Sequence, residues 1–198
     1  MPNLIIAGGA SDPLALSAAS DGALTFQTGP SGAKVNALAF ASDGTPTFLK
    51  GRLMAQVQSF QTGAVANGTT IIPYDDTIPQ ITEGDQYMSL AITPINASST
   101  LEVEVGFQFS HSVSSNNAVA LFKVGTSDAL AVGSFVSVAS GHYKAILKWS
   151  LAAGSTSTQT FTVRAGGDTG TLTFNGTAGA RQYGGTLNSY MNIKEYLP

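Results

Sequence analysis

The chain has 198 residues, only 11% of them charged, and a formal net charge of −3. Its nine Lys and Arg residues are scattered, which excludes a nucleic-acid binder working through a clustered basic surface. The absence of cysteine excludes disulfides and thiolate zinc sites, and no apolar run reaches the roughly 20 residues that cross a bilayer as a helix.

The low charge has two readings. Part of the surface is buried in an oligomer, whose interface core is depleted of charge, or the surface is coated with Ser and Thr. Leu4-Ile5-Ile6-Ala7 has no basic segment before it and is too short for a secretory leader, so a soluble chain made in the cytoplasm is expected.

Residues 1–54 are small, Gly- and Ala-rich and poor in large apolar side chains. Gly8-Gly9 ends the Leu4–Ile6 cluster, and Pro13 to Ala19 is compatible with a short helix. Asp21-Gly22 and Asp43-Gly44 are tight-turn signals, because Gly accepts positive φ and Asp caps the turn. Each leads into a short Thr- and Phe-containing segment, Thr25-Phe26 and Thr47-Phe48, so a turn-plus-strand unit occurs twice. Two such units cannot bury a core alone. Either identical chains wound about a shared axis bury Leu24, Phe26, Phe40, Phe48 and Leu49 between them as a trimer, or the segment is a linker with chance similarity.

Ala55 to Phe60 is a strand candidate and Gly63 to Gly68 a loop. Ile71 to Met88 marks the change of composition. Pro73 and Pro79 cannot sit in a central strand, and the stretch reads as the ordered entry into a β-domain. It also holds the only dense acidic group, Asp75, Asp76, Glu83 and Asp85. Loop carboxylates suit calcium, but the spacing matches no EF-hand, and the alternative is that they cap turns.

From Tyr87 the alternation is of period two. Tyr87 to Ile92 is a strand. Leu101, Val103, Val105, Phe107 and Phe109 share one face of the next, with Glu102, Glu104, Gly106 and Gln108 on a solvated face. Ser112 to Asn117 reads as a polar turn, and Ala118 to Val124 and Ala129 to Ala139 as strands. In the strand His142 to Leu151, Tyr143, Ala145, Leu147, Trp149 and Leu151 point inward and Lys144 and Lys148 outward; Glu102 and Glu104 either face solvent or pair with these two lysines across the sheet. Thr158 to Arg164 and Thr171 to Phe174 follow. A Gly-rich loop, Asn175 to Gly185, precedes the closing strand Leu187 to Tyr196. Roughly eight or nine short strands with no helical period predict an all-β fold, an antiparallel β-sandwich with a jelly roll as its form, over residues 55–198. It follows a small, extended, turn-rich N-terminal adaptor, residues 1–54.

No enzyme signature is present. His111 and His142 are in no metal-ligand spacing, and the chain lacks a GxSxG elbow. Glycosidase chemistry needs two carboxylates facing across a cleft, whereas Glu102 and Glu104 share one strand face. The exposed aromatics Tyr183 and Tyr190 are candidates for glycan contact, with a subunit interface as the alternative, and Tyr196 shares a strand face with Tyr190. No enzymatic activity, cofactor or metal is expected.

Several runs resemble virion proteins of tailed bacteriophages. They are Thr69 to Gly84 (TTIIPYDDTIPQITEG), Phe161 to Gly166 (FTVRAG), Gly179 to Gly185 (GARQYGG) and Met191 to Tyr196 (MNIKEY). The Asp-Gly repeats are similar to segments of phage fibre proteins. The resemblance implies a homotrimeric jelly-roll module on the outer surface of a virion, assembled in the host cytoplasm. In a chain this short it implies a head fibre or capsid decoration (cement) protein. Residues 1–54 would bind the major capsid protein or another virion component, and the β-domain would project outward. The alternative it implies is a receptor-binding tail fibre or spike tip that recognises host surface saccharide. Neither reading involves nucleic acid or membrane insertion. A depolymerising enzyme is disfavoured, because the chain is too short for a β-helix spike.

Overall fold

The computed structural model describes residues 53–198 in full and, within residues 1–52, the backbone of five strands. The chain divides into two compact units, Met1–Leu53 and Met54–Leu197. The first holds β1 (Leu4–Ile6), β2 (Leu14–Ala18), β3 (Leu24–Thr28), β4 (Val35–Phe40) and β5 (Pro46–Phe48), paired in chain order as one antiparallel sheet. The helix expected at Pro13 to Ala19 is instead β2. Leu14 and Leu16 are spaced by two, which is the strand period, and pairing to β1 and β3 overrides the weak helical preference of Ala. The side chains of Leu24, Phe26, Phe40 and Phe48, and all of Leu49, lie outside the described residues.

The second unit contains β6 (Met54–Thr62), β7 (Ala66–Gly68), β8 (Asp85–Ile92), β9 (Thr100–His111), β10 (Ser115–Lys123), β11 (Ala131–Ser137), β12 (His142–Ala152), β13 (Gln159–Gly167), β14 (Leu172–Phe174), β15 (Gly176–Thr177), β16 (Ala180–Arg181) and β17 (Ser189–Tyr196). Several boundaries differ from expectation. β7 forms where a loop was expected, because β14 offers it a partner. β10 begins three residues early, inside the expected polar turn, where Ser115 pairs with Ser137. The expected Gly-rich loop holds the β15–β16 hairpin and a 3-10 turn at Tyr183–Gly185.

The strand order gives the fold. One sheet runs β8-β13-β10-β11, and the other runs β6-β17-β9-β12, with every pair antiparallel. Counting these eight strands along the chain, the first pairs with the last, the second with the seventh, the third with the sixth and the fourth with the fifth. This is a long hairpin wrapped on itself, and the wrapping adds the contacts β17–β9 and β13–β10. The unit is an antiparallel β-sandwich with jelly-roll order.

The inner faces meet in one core. Leu101, Val103, Val105, Phe107 and Phe109 are all buried. Phe107 packs 4.8 Å from Phe174, and Phe109 stacks 5.5 Å from Tyr143, within the range in which aromatic pairs add to simple burial. Two expected facings change. Gly106 is buried, because the Tyr190 ring lies over it. Trp149 is 41% exposed, since β12 pairs with β9 alone and the indole overhangs an open edge.

Residues 69–84 lie across the outer face of the β8-β13-β10-β11 sheet. Ile72 is buried there with Ala120 and Phe122, and Ile81, Ala118 and Ala129 flank them in a second small core. The Arg164 guanidinium donates from Nε to the Glu83 carbonyl (2.8 Å) and from Nη2 to the Gly84 carbonyl (2.7 Å). Gly84 N donates to the Ile71 carbonyl at 2.9 Å. A methyl at Gly166 would stand 2.3 Å from the Thr70 carbonyl oxygen and 3.0 Å from Ile72 N. Gly166→Ala is therefore expected to lift this segment. Chemical denaturation should show a loss of about 1–3 kcal/mol, with new proteolytic cleavage within 69–84. An unchanged midpoint would show that the segment is not clamped against β13.

Candidate functional site

The four acidic candidates of the lead-in are spread along it and serve the backbone. Asp75 Oδ1 accepts from Thr77 N at 2.8 Å and from the Thr77 hydroxyl. The Thr77 hydroxyl and then its N–H hold the Asp75 carboxyl below its ordinary range. Glu83 Oε2 accepts from Gln80 N at 2.9 Å, and Asp85 accepts from Thr70 N and the Thr70 hydroxyl, both at 2.9 Å. Asp76 is exposed on the same bend as Asp75. Among the described residues no three His, Asp or Glu side chains converge in the way a metal ion needs. The arrangement is that of turn caps.

Between Pro73 and Pro79 the lead-in bows away from the sheet and leaves an open groove of about 350 Å³. Tyr74 and Ile78 form its outer wall, while Ala118, Val132 and Ser134 form its floor on β10 and β11. Tyr74 and Ile78 are exposed, and the lining is mostly apolar with Asp75, Thr77 and Ser134 as its polar groups. Clefts of this size and composition hold small ligands or a partner's side chain.

The opposite outer face is polar. Glu102 lies 3.7 Å from both Lys148 and Lys194, and Glu104 is 3.8 Å from Lys194. Lys148 thus pairs as expected. Lys144 does not, because its ammonium lies over the Tyr190 ring, 5.5 Å from the centroid. The Tyr190 hydroxyl donates to Glu104 Oε1 at 3.1 Å. Burial, then that bond and the negative charge of Glu104, push its phenol above the ordinary range. Tyr190 is thus committed to the sheet through Gly106, Glu104 and Lys144, which leaves little of the ring for a sugar. Partly exposed ion pairs of this kind contribute little each, about 0–1 kcal/mol.

Tyr183 is different. The strand facing β9 is interrupted after β14 and resumes at β17, and residues 175–188 form an excursion between them. Asn175, fully buried, clamps its base. Its side-chain amide donates to the carbonyls of Thr62 (2.9 Å) and Ala64 (3.2 Å), and its Oδ1 accepts from Ser189 at 2.7 Å. Tyr183 sits on the excursion with φ of 48° and 79% exposure. A non-glycine residue held at positive φ with its ring in solvent is a costly arrangement. The structure does not bring Tyr183 and Tyr190 into one described contact.

Two further polar sites are buried in the sandwich. The first surrounds His111, which is 1% exposed. Its Nδ1 donates to the Val113 carbonyl at 3.0 Å, and among the described residues its buried Nε2 has no hydrogen-bond partner. It faces Gly167, where a methyl would meet it at 2.7 Å. The Ser115 hydroxyl donates directly to Asp168 rather than to the imidazole, so these three residues do not form a nucleophile–base relay.

The second is Glu195, the last core-facing side chain of β17, with no exposed surface. It accepts from Gln56 Nε2 (2.6 Å), Ile95 N (2.9 Å) and Asn96 N (3.1 Å). Burial pushes its carboxyl up, but the Gln56 amide and the two backbone N–H groups outweigh this and hold it below the ordinary range. No sequence signal marks it beyond a Glu in the alternating position of an apolar strand.

No protein-family model matches the chain, and no curated protein matches it. Among solved structures it is similar to chains of infectious bursal disease virus. To the Gx strain structure it is 11% identical with a TM-score of 0.34, over 96% of this chain and 49% of the viral one. To the Gt strain it is 12% identical with a TM-score of 0.35, over 93% and 47%. To the VP2 subviral particle it is 12% identical with a TM-score of 0.30, over 90% and 47%. The chain spans about half the length of these viral chains. The fold assignment rests on the strand order given above.

Glu195→Gln tests the role of the buried carboxylate. It turns an NH2 toward backbone donors, and stability at neutral pH should fall by about 1–3 kcal/mol. The native carboxyl titrates below its unfolded value, so its contribution is present above the unfolded pKa and is lost as pH falls through the native one. Thermal melts over acid pH should therefore fall less steeply for Glu195→Gln than for the parent, and parallel acid limbs would refute the assignment.

Proposed function

We propose that the chain is a non-enzymatic structural protein of a tailed-bacteriophage virion, a homotrimeric head fibre or capsid decoration protein. Residues 1–54 attach it to the major capsid protein or another virion component, and the jelly-roll unit projects outward. The observation that carries this reading is the division of the chain. A complete eight-strand jelly roll, Met54–Leu197, follows a separate small sheet unit, Met1–Leu53. A module that closes its own core leaves the first unit available for attachment. The lead-in adds support. It carries the run that most resembles phage virion proteins; its Ile72 and Ile81 cover the sheet, and its carboxylates cap local turns.

The test is direct. Mass spectrometry of purified virions should find the chain, and cryo-EM should place three copies of it around a three-fold axis on the head. Density confined to the tail would overturn the decoration reading. Sedimentation should give a trimer or a multiple of one, and a stable monomer would refute three-fold assembly.

One observation favours a second reading, a receptor-binding tail fibre or spike tip. The 79% exposed Tyr183, on an excursion held at its base by Asn175, is the geometry of an aromatic platform for host saccharide. Tyr183→Ala should then abolish glycan-array binding while leaving the melting temperature unchanged. An array on which the parent chain binds nothing would refute this second reading.

A further inference from the structure

The eight-strand sandwich has four long edge strands, β6, β8, β11 and β12, and three of them carry charged or amide side chains. β12 carries Lys144 and Lys148, β8 opens with Asp85, and β6 carries Gln56, Gln58 and Gln61. β11 has none of this. From Ala129 to Tyr143 the chain contains no Asp, Glu, Lys or Arg. Val132, Val136 and Val138 are 43%, 77% and 62% exposed, and among the described residues β11 pairs only with β10. Its other side presents a row of backbone N–H and C=O groups beside β-branched side chains. Natural folds blunt such an edge or cover it with another strand.

We propose that β11 is the contact surface for a second copy of this chain, joined antiparallel to that copy's β11 across a two-fold axis at Ser134. Three features select this occupant. The exposed backbone groups call for a strand. The absence of charge over 129–143 offers nothing to a charged peptide, nucleic acid or lipid headgroup, whereas a like edge matches it. The register is also self-complementary. With Ser134 opposite Ser134, Val132 of each copy lies opposite Val136 of the other, so exposed β-branched side chains meet as cross-strand pairs. The pairing joins two four-stranded sheets into one and places the apolar grooves beside Tyr74 and Ile78 on either side of the axis.

This contact is separate from the three-fold assembly proposed above and would join one trimer to its neighbour. The cysteine-free sequence permits a clean test in the full chain. In the antiparallel pair the two Ser134 Cα atoms lie about 4.5–5.5 Å apart, within disulfide reach. Ser134→Cys should therefore cross-link to a covalent dimer under mild oxidation. Val138→Cys should not, because its two copies stand roughly 25 Å apart along the paired strands.

Val136→Lys places a charge on the edge and should halve the sedimenting mass, from six copies to three, with an unchanged melting temperature. Equal cross-linking of the two cysteine variants would overturn the proposal, as would a parent and Val136→Lys of equal mass. A mass falling from two copies to one would uphold the β11 contact and refute the three-fold reading instead.

Discussion

The closing strand β17 is the element on which the sandwich depends. It lies between β6 and β9, so until it arrives the hydrogen-bonding groups on one side of β9 from Thr100 to Gly106 have no strand to satisfy them. β9 carries five of the buried core side chains, and β17 adds Met191 and Ile193 opposite them. The pairing of first and last strands is the most non-local contact in the fold. It demands that loop-closure entropy be met before native pairing rewards it. Glu195 reinforces this closure, tying the end of β17 through Gln56 to the first strand and through Ile95 and Asn96 to the turn after β8.

Much of the fold was legible because the inner faces obey a simple period. Leu101 to Phe109 alternates in sequence, and burial follows the alternation at every position but Gly106. The outer faces were less legible, since each depends on something distant in sequence. Gly106 looks like a solvated strand position until Tyr190 covers it. Trp149 reads as core until β12 proves to be an edge. β7 and the early start of β10 exist because partners far along the chain demand them. Leu14–Ala18 looks helical because Ala is a good helix former, a weak preference that pairing to β1 and β3 overrides.

At the candidate site the sequence revealed residue types but not their employment. The acidic group of the lead-in looks the same whether it binds calcium or caps turns. Only the partners Thr77, Gln80 and Thr70 distinguish the two. Tyr183 and Tyr190 were equivalent as candidates, yet one is locked beneath Lys144 and against Glu104 while the other stands free on its excursion. The groove was not foreseen, because its floor and wall come from segments some fifty residues apart, brought together by Pro79 and Ala129.

The two outer faces solve the same problem differently. A jelly roll requires only its inner faces to be apolar. Here the outer face of the β8-β13-β10-β11 sheet also carries large apolar side chains, Phe122 among them. The lead-in supplies its cover, held by Arg164 and admitted by the missing side chain of Gly166. The other face needs no cover, since Glu102, Glu104, Lys148 and Lys194 interleave across it. This cover is incomplete. It turns back at Pro79, where it meets the start of β11, and Val132 and Val136 emerge beyond it into solvent. A chain so sparing of charge elsewhere uses it to guard β12 but leaves β11 unguarded. The proposed contact between β11 edges would account for both the low overall charge and the unfinished cover, with a sheet edge completed between copies rather than within one.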